Sequence, residues 1–533
     1  MIVLTVSELS YANPNCDFLF VNVDFSLSNG EKATLIGNNG TGKSTLLQII
    51  AEKLKPLQGN VFYSQKPYLI PQHFGQYDEL TIAQALGIFE KTEALKAILA
   101  GDVSEQNYTI LNDDWNIEER AVQALEYWGL GNMALSRKMS MLSGGEKTKV
   151  FLSGIIIHEP LLVLMDEPTN HLDIESRNRL YNFIETHSSS MLIVSHDRTL
   201  LNMIDLTYEL SPKGIMKYGG NYEFCKAMKE GKTNALQNRT NEKNKALRIA
   251  KKNAADALER REKQGSSDKG RKQKAGTPTA LMDKLKGKAE ESTSRLKGIH
   301  AGKIEKIASE LQHIKEETAA SKEIKVKFDN SSLHKGKTLF SCDNITFEYT
   351  GKMLWHEPLS FKIMSGERIV VRGSNGSGKT TLLKLILGNM KPKSGEIKRA
   401  DFKHVYIDQD YSLIDNSLTV VEQATSYNVK NLPCSFLKTE LHRFLFPADT
   451  WDKKCGLLSG GEKMRLIFCC LLISESAPDL FVLDEPTNNL DIQSLGIITS
   501  SLQRYRGTVL VISHDRYFIE EIGIEREIDI EAR

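Results

Sequence analysis

The chain repeats itself. Gly-Asn-Asn-Gly-Thr-Gly-Lys-Ser-Thr at 37–45 returns as Gly-Ser-Asn-Gly-Ser-Gly-Lys-Thr-Thr at 373–381, with Lys43 and Lys379 lying 336 residues apart. Leu-Ser-Gly-Gly-Glu-Lys at 142–147 returns 316 residues later, at 458–463. Asp-Glu-Pro-Thr-Asn at 166–170 and Ser-His-Asp-Arg at 195–198 both return after 318 residues, at 484–488 and 513–516. Four motifs in one order, twice, define a tandem duplication, so a fold that suits one copy must suit both.

The drop in offset from 336 to 316 places about 20 extra residues between the first two motifs of the first copy. Gln72 precedes Ser143 by 71 residues, whereas Gln409 precedes Ser459 by 50, so the excess lies near 85–125. Helix-like stretches at Thr81–Leu99 and Ile117–Tyr127 make it a short helical arm. Between the copies, residues 225–325 carry 26 Lys/Arg against 14 Asp/Glu, a local excess of 12 positive charges in a chain of net charge +1. Gly and Pro are absent from Thr233 to Lys263. The stretch Gln264–Pro278, rich in Gly and Ser, predicts a helix break. Beyond it, Ile304, Ile307, Leu311 and Ile314 are spaced as a heptad seam, with Leu247, Ala254 and Leu258 as a weaker facing stripe. The expected architecture is α/β: domains at 1–224 and 326–533, joined by a basic, antiparallel α-helical hairpin over 225–325.

Composition narrows the class. Apolar residues make up 40% and charged residues 26%, enough for packed cores. No apolar run reaches the length of a membrane span, and the first residues lack the pattern of a signal peptide. The seven cysteines (16, 225, 342, 434, 455, 469 and 470) contain no C-x-x-C pair. They read as buried thiols in a reducing compartment, which predicts a cytoplasmic protein.

The repeated motifs carry chemistry. In each copy a strand-like run, Ala33–Ile36 or Arg368–Val371, leads into G-x-x-x-x-G-K-[ST] and then a helical run. Such a loop turns backbone N–H groups and a helix N-terminus towards phosphate oxygens. Lys43 and Lys379 reach the outer phosphates, and Ser44 and Thr380 offer a hydroxyl to Mg²⁺. Leu161–Met165 and Leu480–Leu483 read as buried parallel strands. Each ends in an acid pair: Asp166 and Asp484 as Mg²⁺ ligands, Glu167 and Glu485 placed to polarise an attacking water. The Leu-Ser-Gly-Gly-Glu motif reads equally as a second phosphate contact or as a helix cap.

With these residues in place the chain resembles the ABC-F family of ATP-binding-cassette proteins, two cassettes in one polypeptide. Glu146 and Glu462 stand where other cassettes usually have Gln, and Asp-Glu-Pro-Thr-Asn-His-Leu-Asp at 166–173 fits the same class. Asn489 replaces the counterpart of His171, a departure expected to make the two sites unlike. The resemblance implies a head-to-tail pairing in which each ATP lies between one cassette's phosphate loop and the other's signature. One site would combine Gly37, Asn38, Asn39, Gly40, Thr41, Gly42, Lys43, Ser44, Thr45, Gln72, Asp166, Glu167 and His196 with Ser459, Gly460 and Gly461. The other would combine Gly373, Ser374, Asn375, Gly376, Ser377, Gly378, Lys379, Thr380, Thr381, Gln409, Asp484, Glu485 and His514 with Ser143, Gly144 and Gly145. Gln72 and Gln409 would join the Mg²⁺ shell, and His196 and His514 would meet the γ-phosphate. Tyr11 and Tyr349 are candidates to stack on adenine or to pack in the core, with Phe347 competing with Tyr349.

Three uses of ATP compete: a ribosome-associated translation factor, the motor of a separate transporter, and a DNA-repair or chromosome ATPase. A transporter motor has no evident need for a strongly basic segment between its cassettes. The repair and iron–sulfur classes need clustered cysteines that are missing. A basic hairpin suits RNA, whose phosphates it would neutralise. The nine basic and three acidic residues of Arg261–Lys288 suit a tip that orders on binding. The family therefore implies a cytoplasmic monomer whose partners are the ribosome, through rRNA, and tRNA. The short arm and the end of the chain soon after His514 favour ribosome protection against antibiotics over a housekeeping role.

Overall fold

The computed structural model describes all residues except 14–17, 275–293, 296–297, 313, 315–332, 350–351, 375, 475–476, 488–489 and 531–533, and side chains other than 258, 261–274 and 352. Cys16, Asn375, Asn489 and the tip beyond Lys274 thus lie outside the described residues. Two units make up the chain: Met1–Glu223 with Ile324–Arg533, and Phe224–Glu323.

In the first unit each copy forms a parallel sheet beside a smaller antiparallel one. The first parallel sheet runs Tyr68–Ile70, Leu162–Asp166, Ser190–Val194, Lys32–Ile36, Thr207–Ser211, with Gly214–Tyr218 added antiparallel at the edge. The second runs His404–Ile407, Leu480–Asp484, Thr508–Ile512, Arg368–Arg372, Arg526–Asp529, all parallel. Leu162–Asp166 and Leu480–Asp484 are buried at every position. Their near-continuous apolar sequence is what a strand covered on both faces requires. Phe18–Ser28 alternates buried and exposed positions instead, as a strand in a half-solvated antiparallel sheet should. The strand order puts the C-terminal ends of the central strands, and therefore both acid pairs, beside the phosphate loops. Ligands of open parallel sheets gather at that edge.

The arm differs from its expected outline. The predicted helix Thr81–Leu99 is two helices, Ile82–Ala85 and Phe89–Leu99, because Gly87 adopts a φ of 70° between them. A further helix, Glu105–Leu111, went unpredicted; it is short, and only Leu111 is fully buried. Ile117–Tyr127 matches Cys434–Arg443 of the second copy, each packed on its signature helix. The residues in excess are therefore Phe89–Leu99 and Glu105–Leu111.

In the second unit a single helix runs from Tyr222 to Lys274. Of the stretch Gln264–Pro278, where a break is expected, the described part stays helical as far as Lys274, and the remainder lies outside the described residues. A glycine inside a helix costs about 1 kcal/mol relative to Ala, and the Lys, Arg and Gln around Gly265 and Gly270 favour helix. Only Pro278, beyond the described residues, forbids it outright. Among the less exposed positions of this helix, Thr233, Leu236, Thr240, Lys243, Leu247, Ala250, Ala254 and Ala257 lie alternately three and four apart. They form a heptad seam of mostly small residues. Ile304, Ile307, Leu311 and Ile314 are among the less exposed positions of the returning helix, with Glu310 beside them. Lys243 and Glu310 join the two limbs through a 2.5 Å ion pair.

Candidate nucleotide sites

Each phosphate loop ends on a glycine in the left-handed region, Gly42 at φ 88° and Gly378 at φ 94°. No side chain caps the helices that follow, Lys43–Ile50 and Lys379–Leu387, so their first N–H groups face the loop without a side-chain partner. A β-carbon at Gly42 would come within 3.0 Å of the Phe20 ring, and one at Gly378 within 2.4 Å of Leu354. The lysines fold back over their loops. Lys43 Nζ donates to the carbonyls of Gly37 (2.8 Å) and Asn38 (3.1 Å), and Lys379 Nζ to those of Gly373 and Ser374 (both 2.8 Å). Thr41 donates to Asn38 O at 2.9 Å, bracing the first loop from within. Gly40 and Gly376 lie at the two exposed loop crests, while Ser377 accepts the Trp355 indole N–H at its carbonyl, 3.0 Å away. Thr45 is half-buried one residue beyond Ser44, and Thr381 is buried.

The hydroxyls after the lysines meet the strand-end aspartates. Thr380 Oγ1 donates to Asp484 Oδ2 at 2.8 Å, and the Ser44 hydroxyl bonds to Asp166. In both aspartates the other oxygen, Oδ1, is buried without a hydrogen-bond partner among the described residues. A buried carboxylate oxygen left open costs free energy unless something occupies it. A hydroxyl, an open carboxylate oxygen and uncapped amides fit a phosphate-bound hard cation, which takes one or two protein oxygens and completes its shell elsewhere. Gln72 follows strand Tyr68–Ile70 and is half-buried; Gln409 follows His404–Ile407 and is exposed.

Glu167 and Glu485 both have positive φ, 52° and 50°. A left-handed glutamate is strained, and two at equivalent positions mark a geometry held by its surroundings. Their amides donate to the carbonyls of Val194 and Ile512, at 2.8 and 2.9 Å. His196 N donates to Glu167 Oε2 at 3.2 Å, and its Nε2 lies 3.4 Å from Oε1; His514 Nε2 lies 3.2 Å from Glu485 Oε1. Burial, with the charge of Asp166, pushes the Glu167 carboxyl up to about 8, and burial pushes Glu485 up to about 7. Burial and Lys43 hold His196 down to about 3, and burial and Lys379 hold His514 down to about 4. The pairs are therefore not ion pairs at neutral pH. Each sets a neutral imidazole against a carboxyl that titrates near neutrality, a combination suited to proton transfer.

The signature serines cap their helices. Ser143 Oγ accepts from Glu146 N, and Glu146 Oε2 accepts from Ser143 N at 2.7 Å; Ser459 and Glu462 repeat the box at 2.8 Å. Both readings of the motif survive, because a capped helix still presents its glycine edge. Gly144 and Gly145 lie against His171 of the same copy. Gly460 lies beside Tyr411, and Gly461 faces Asn39 of the first copy, whose Nδ2 would be 3.5 Å from a β-carbon there. Asn39 N also donates to Asp491 Oδ2 of the second copy at 3.3 Å. The first phosphate loop thus meets the second copy's signature and the aspartate that caps Ile492–Arg504. Tyr349 is exposed, with its hydroxyl 3.3 Å from Thr381 Oγ1 and its ring against Phe347. Tyr11 stacks on Phe20.

Residues 20–170 and 356–488 match the protein family described as ABC transporter. Along nearly its whole length the chain is 30% identical to ABC transporter F family member 5 of Arabidopsis thaliana, over 540 residues covering 96% of this chain and 72% of that protein. The chain belongs to the ABC-F family. It is also 30% identical to ATP-binding protein Uup of Haemophilus influenzae, covering 98% of this chain and 78% of that one. Among solved structures, an archaeal ribosome recycling factor bound to a ribosomal stalk protein superposes with a TM-score of 0.59 at 20% identity, covering 98% of this chain and 87% of that one. That likeness concerns the fold. This ABC-F chain is an ATP-hydrolysing enzyme with two cassettes in tandem. No helix among its described residues is long and apolar enough to cross a membrane.

Sequence reasoning left out three features that the structure brings to these sites. Asp491 reaches the opposite loop, Arg177 faces the opposite cassette, and Asp197 is hydrogen-bonded by Tyr181. Asp491 has a legible signal, since it closes the repeated acid motif as Asp173 does in the first copy. Asp197 is legible too, as part of the repeated Ser-His-Asp-Arg motif; Arg177 has no signal, because what it faces lies in the other cassette.

Proposed function

We propose that this ABC-F ATPase acts on the ribosome, using ATP held between its cassettes to set the position of the basic hairpin. ATP with Mg²⁺ would occupy two composite sites. Lys43, Ser44, Asp166, Glu167 and His196 would face Ser459–Gly461, while Lys379, Thr380, Asp484, Glu485 and His514 would face Ser143–Gly145. The cation would lower the charge on the transferring phosphoryl group; Glu167 and Glu485 would orient the attacking water and accept its proton. The observation that carries the reading is the contact of Asn39 with Gly461 and Asp491, which joins one copy's phosphate loop to the other copy's signature. The local charge of +12 over 225–325 supports an RNA partner. So do similar proteins described as an archaeal ribosome recycling factor and as part of a ribosome-bound assembly. The narrower proposal is ribosome protection against antibiotics, supported by an arm of only two short extra helices; contact with tRNA and action as a cytoplasmic monomer belong to the same proposal.

The test is co-sedimentation of the Glu167→Gln, Glu485→Gln double variant with ribosomes, with and without ATP and with antibiotic-stalled particles. ATP-dependent retention on ribosomes is expected, strongest on stalled ones. Equal recovery with and without ribosomes would leave an ATP-driven clamp with another target.

A further inference from the structure

Strand His404–Ile407 runs parallel to Leu480–Asp484, with Tyr406 opposite Val482. Side chains on a strand alternate between faces, so Tyr406 shares a face with Asp484, two positions beyond Val482. Its hydroxyl reaches that aspartate and donates to Oδ2 at 3.3 Å. Its ring packs against the core that holds Leu382 and Leu383 of the helix after the phosphate loop.

The first copy repeats the backbone arrangement with a different side chain. Leu69 stands opposite Leu164, again two positions before the aspartate of its site. Leu69 and Tyr406 also precede Gln72 and Gln409 by the same three residues, so register and sequence spacing agree that they are equivalent. A leucine side chain has no donor, and this position offers Asp166 only packing.

The hydroxyl acts on a carboxylate that is otherwise only half held. A carboxylate oxygen has about two acceptor directions. On Asp484 Oδ2 both are taken, one by Thr380 Oγ1 at 2.8 Å and one by Tyr406. Oδ1 is buried without a hydrogen-bond partner among the described residues, and is the oxygen left for a cation. Two donors on one oxygen fix the plane of the carboxylate, and with it the direction in which the other oxygen points. Hydrogen-bond partners of this kind orient the groups that bind a metal.

We propose that Tyr406 is a positioning residue for Mg²⁺ at the second site, holding Asp484 so that Oδ1 faces the cation. The inference rests on the two-site reading above. The first site, with Leu69 in the equivalent place, binds its cation without this hold.

The test is equilibrium binding of a fluorescent, non-hydrolysable ATP analogue, measured with Mg²⁺ and again in EDTA. Lys43→Ala confines tight binding to the second loop, and Lys379→Ala confines it to the first. In the Lys43→Ala background, adding Tyr406→Phe should reduce the gain in affinity that Mg²⁺ brings about tenfold, while affinity in EDTA changes less than about twofold. In the Lys379→Ala background the same substitution should alter neither value. The change removes one oxygen and keeps the ring, so the packing around it is preserved. An unaltered Mg²⁺ gain, an equal effect in both backgrounds, or affinities that fall alike with Mg²⁺ and in EDTA would overturn the proposal and leave Tyr406 a packing residue. If the Lys43→Ala protein with Tyr406 intact binds no nucleotide, the two-site reading itself fails, and this inference falls with it.

Discussion

The two cassettes agree in their sheets and wherever phosphate chemistry is at stake, and diverge in what is attached at their edges and interface. Both place a left-handed glycine before the lysine, a hydroxyl on the strand-end aspartate, a left-handed glutamate beside a buried histidine and a capping box on the signature serine. Among the described residues, the first alone shows the two extra arm helices, the edge strand Gly214–Tyr218 and a buried arginine paired with the other copy, Arg198 with Glu521. The difference teaches that the reacting geometry tolerates little variation, whereas the surfaces that choose partners are free to change.

Several changes should break or sharpen that comparison. The largest effect is expected from Glu167→Gln with Glu485→Gln, which should cut ATP turnover at least about 100-fold while nucleotide binding persists. Steady-state ATPase assays beside equilibrium binding of a fluorescent nucleotide would show it. Next come the loop glycines. Gly378→Ala should cost more stability than Gly42→Ala, because its β-carbon meets Leu354 at 2.4 Å rather than Phe20 at 3.0 Å. Both substitutions also strain a positive φ, so losses of about 1–3 kcal/mol are expected in denaturant titrations.

A smaller effect concerns pH. Burial raises Glu167 to about 8, so the nucleotide-free folded state holds a proton that the unfolded state releases above about 4.5. That contribution to stability is present at low pH and is lost as pH rises towards 8. Glu167→Gln removes the titration, so its Tm should gain on that of the parent between pH 5 and pH 8. A gap that stays constant would show that the carboxyl is ionised throughout. The smallest contrast is Arg198→Ala against Arg516→Ala. The first removes a buried arginine from its half-exposed partner Glu521 and should be measurably destabilising, whereas the second should shift stability by less than about 0.5 kcal/mol.

Much of this is legible in the amino-acid sequence. Strong local patterns announce the duplication, the strand–loop–helix units and the acid pairs, because glycine, lysine and adjacent carboxylates at fixed spacing have few other uses. The sequence shows Thr81–Leu99 as a single helix-like stretch, whereas the chain divides it at Gly87, whose positive φ only the folded backbone reveals. The Gly and Ser of Gln264–Pro278 predict a break, yet the Lys, Arg and Gln around Gly265 and Gly270 carry the helix through to Lys274. Ala250 went unnoticed on the hairpin seam, since alanine is a weak hydrophobic signal. Arg177 and the Arg198–Glu521 pair were invisible, because their meaning lies in partners up to 323 residues away.

The Lys243–Glu310 pair has a practical consequence for the hairpin. An ion pair set into a seam of small side chains fixes which turn of one limb lies opposite which turn of the other. Lengthening both limbs by whole sevens would advance the far end in steps of about 10 Å and keep every facing residue in place. Adding two residues to one limb alone would swing its apolar stripe by about 200°, towards water. The segment is thus built like a ruler, with graduations one heptad wide.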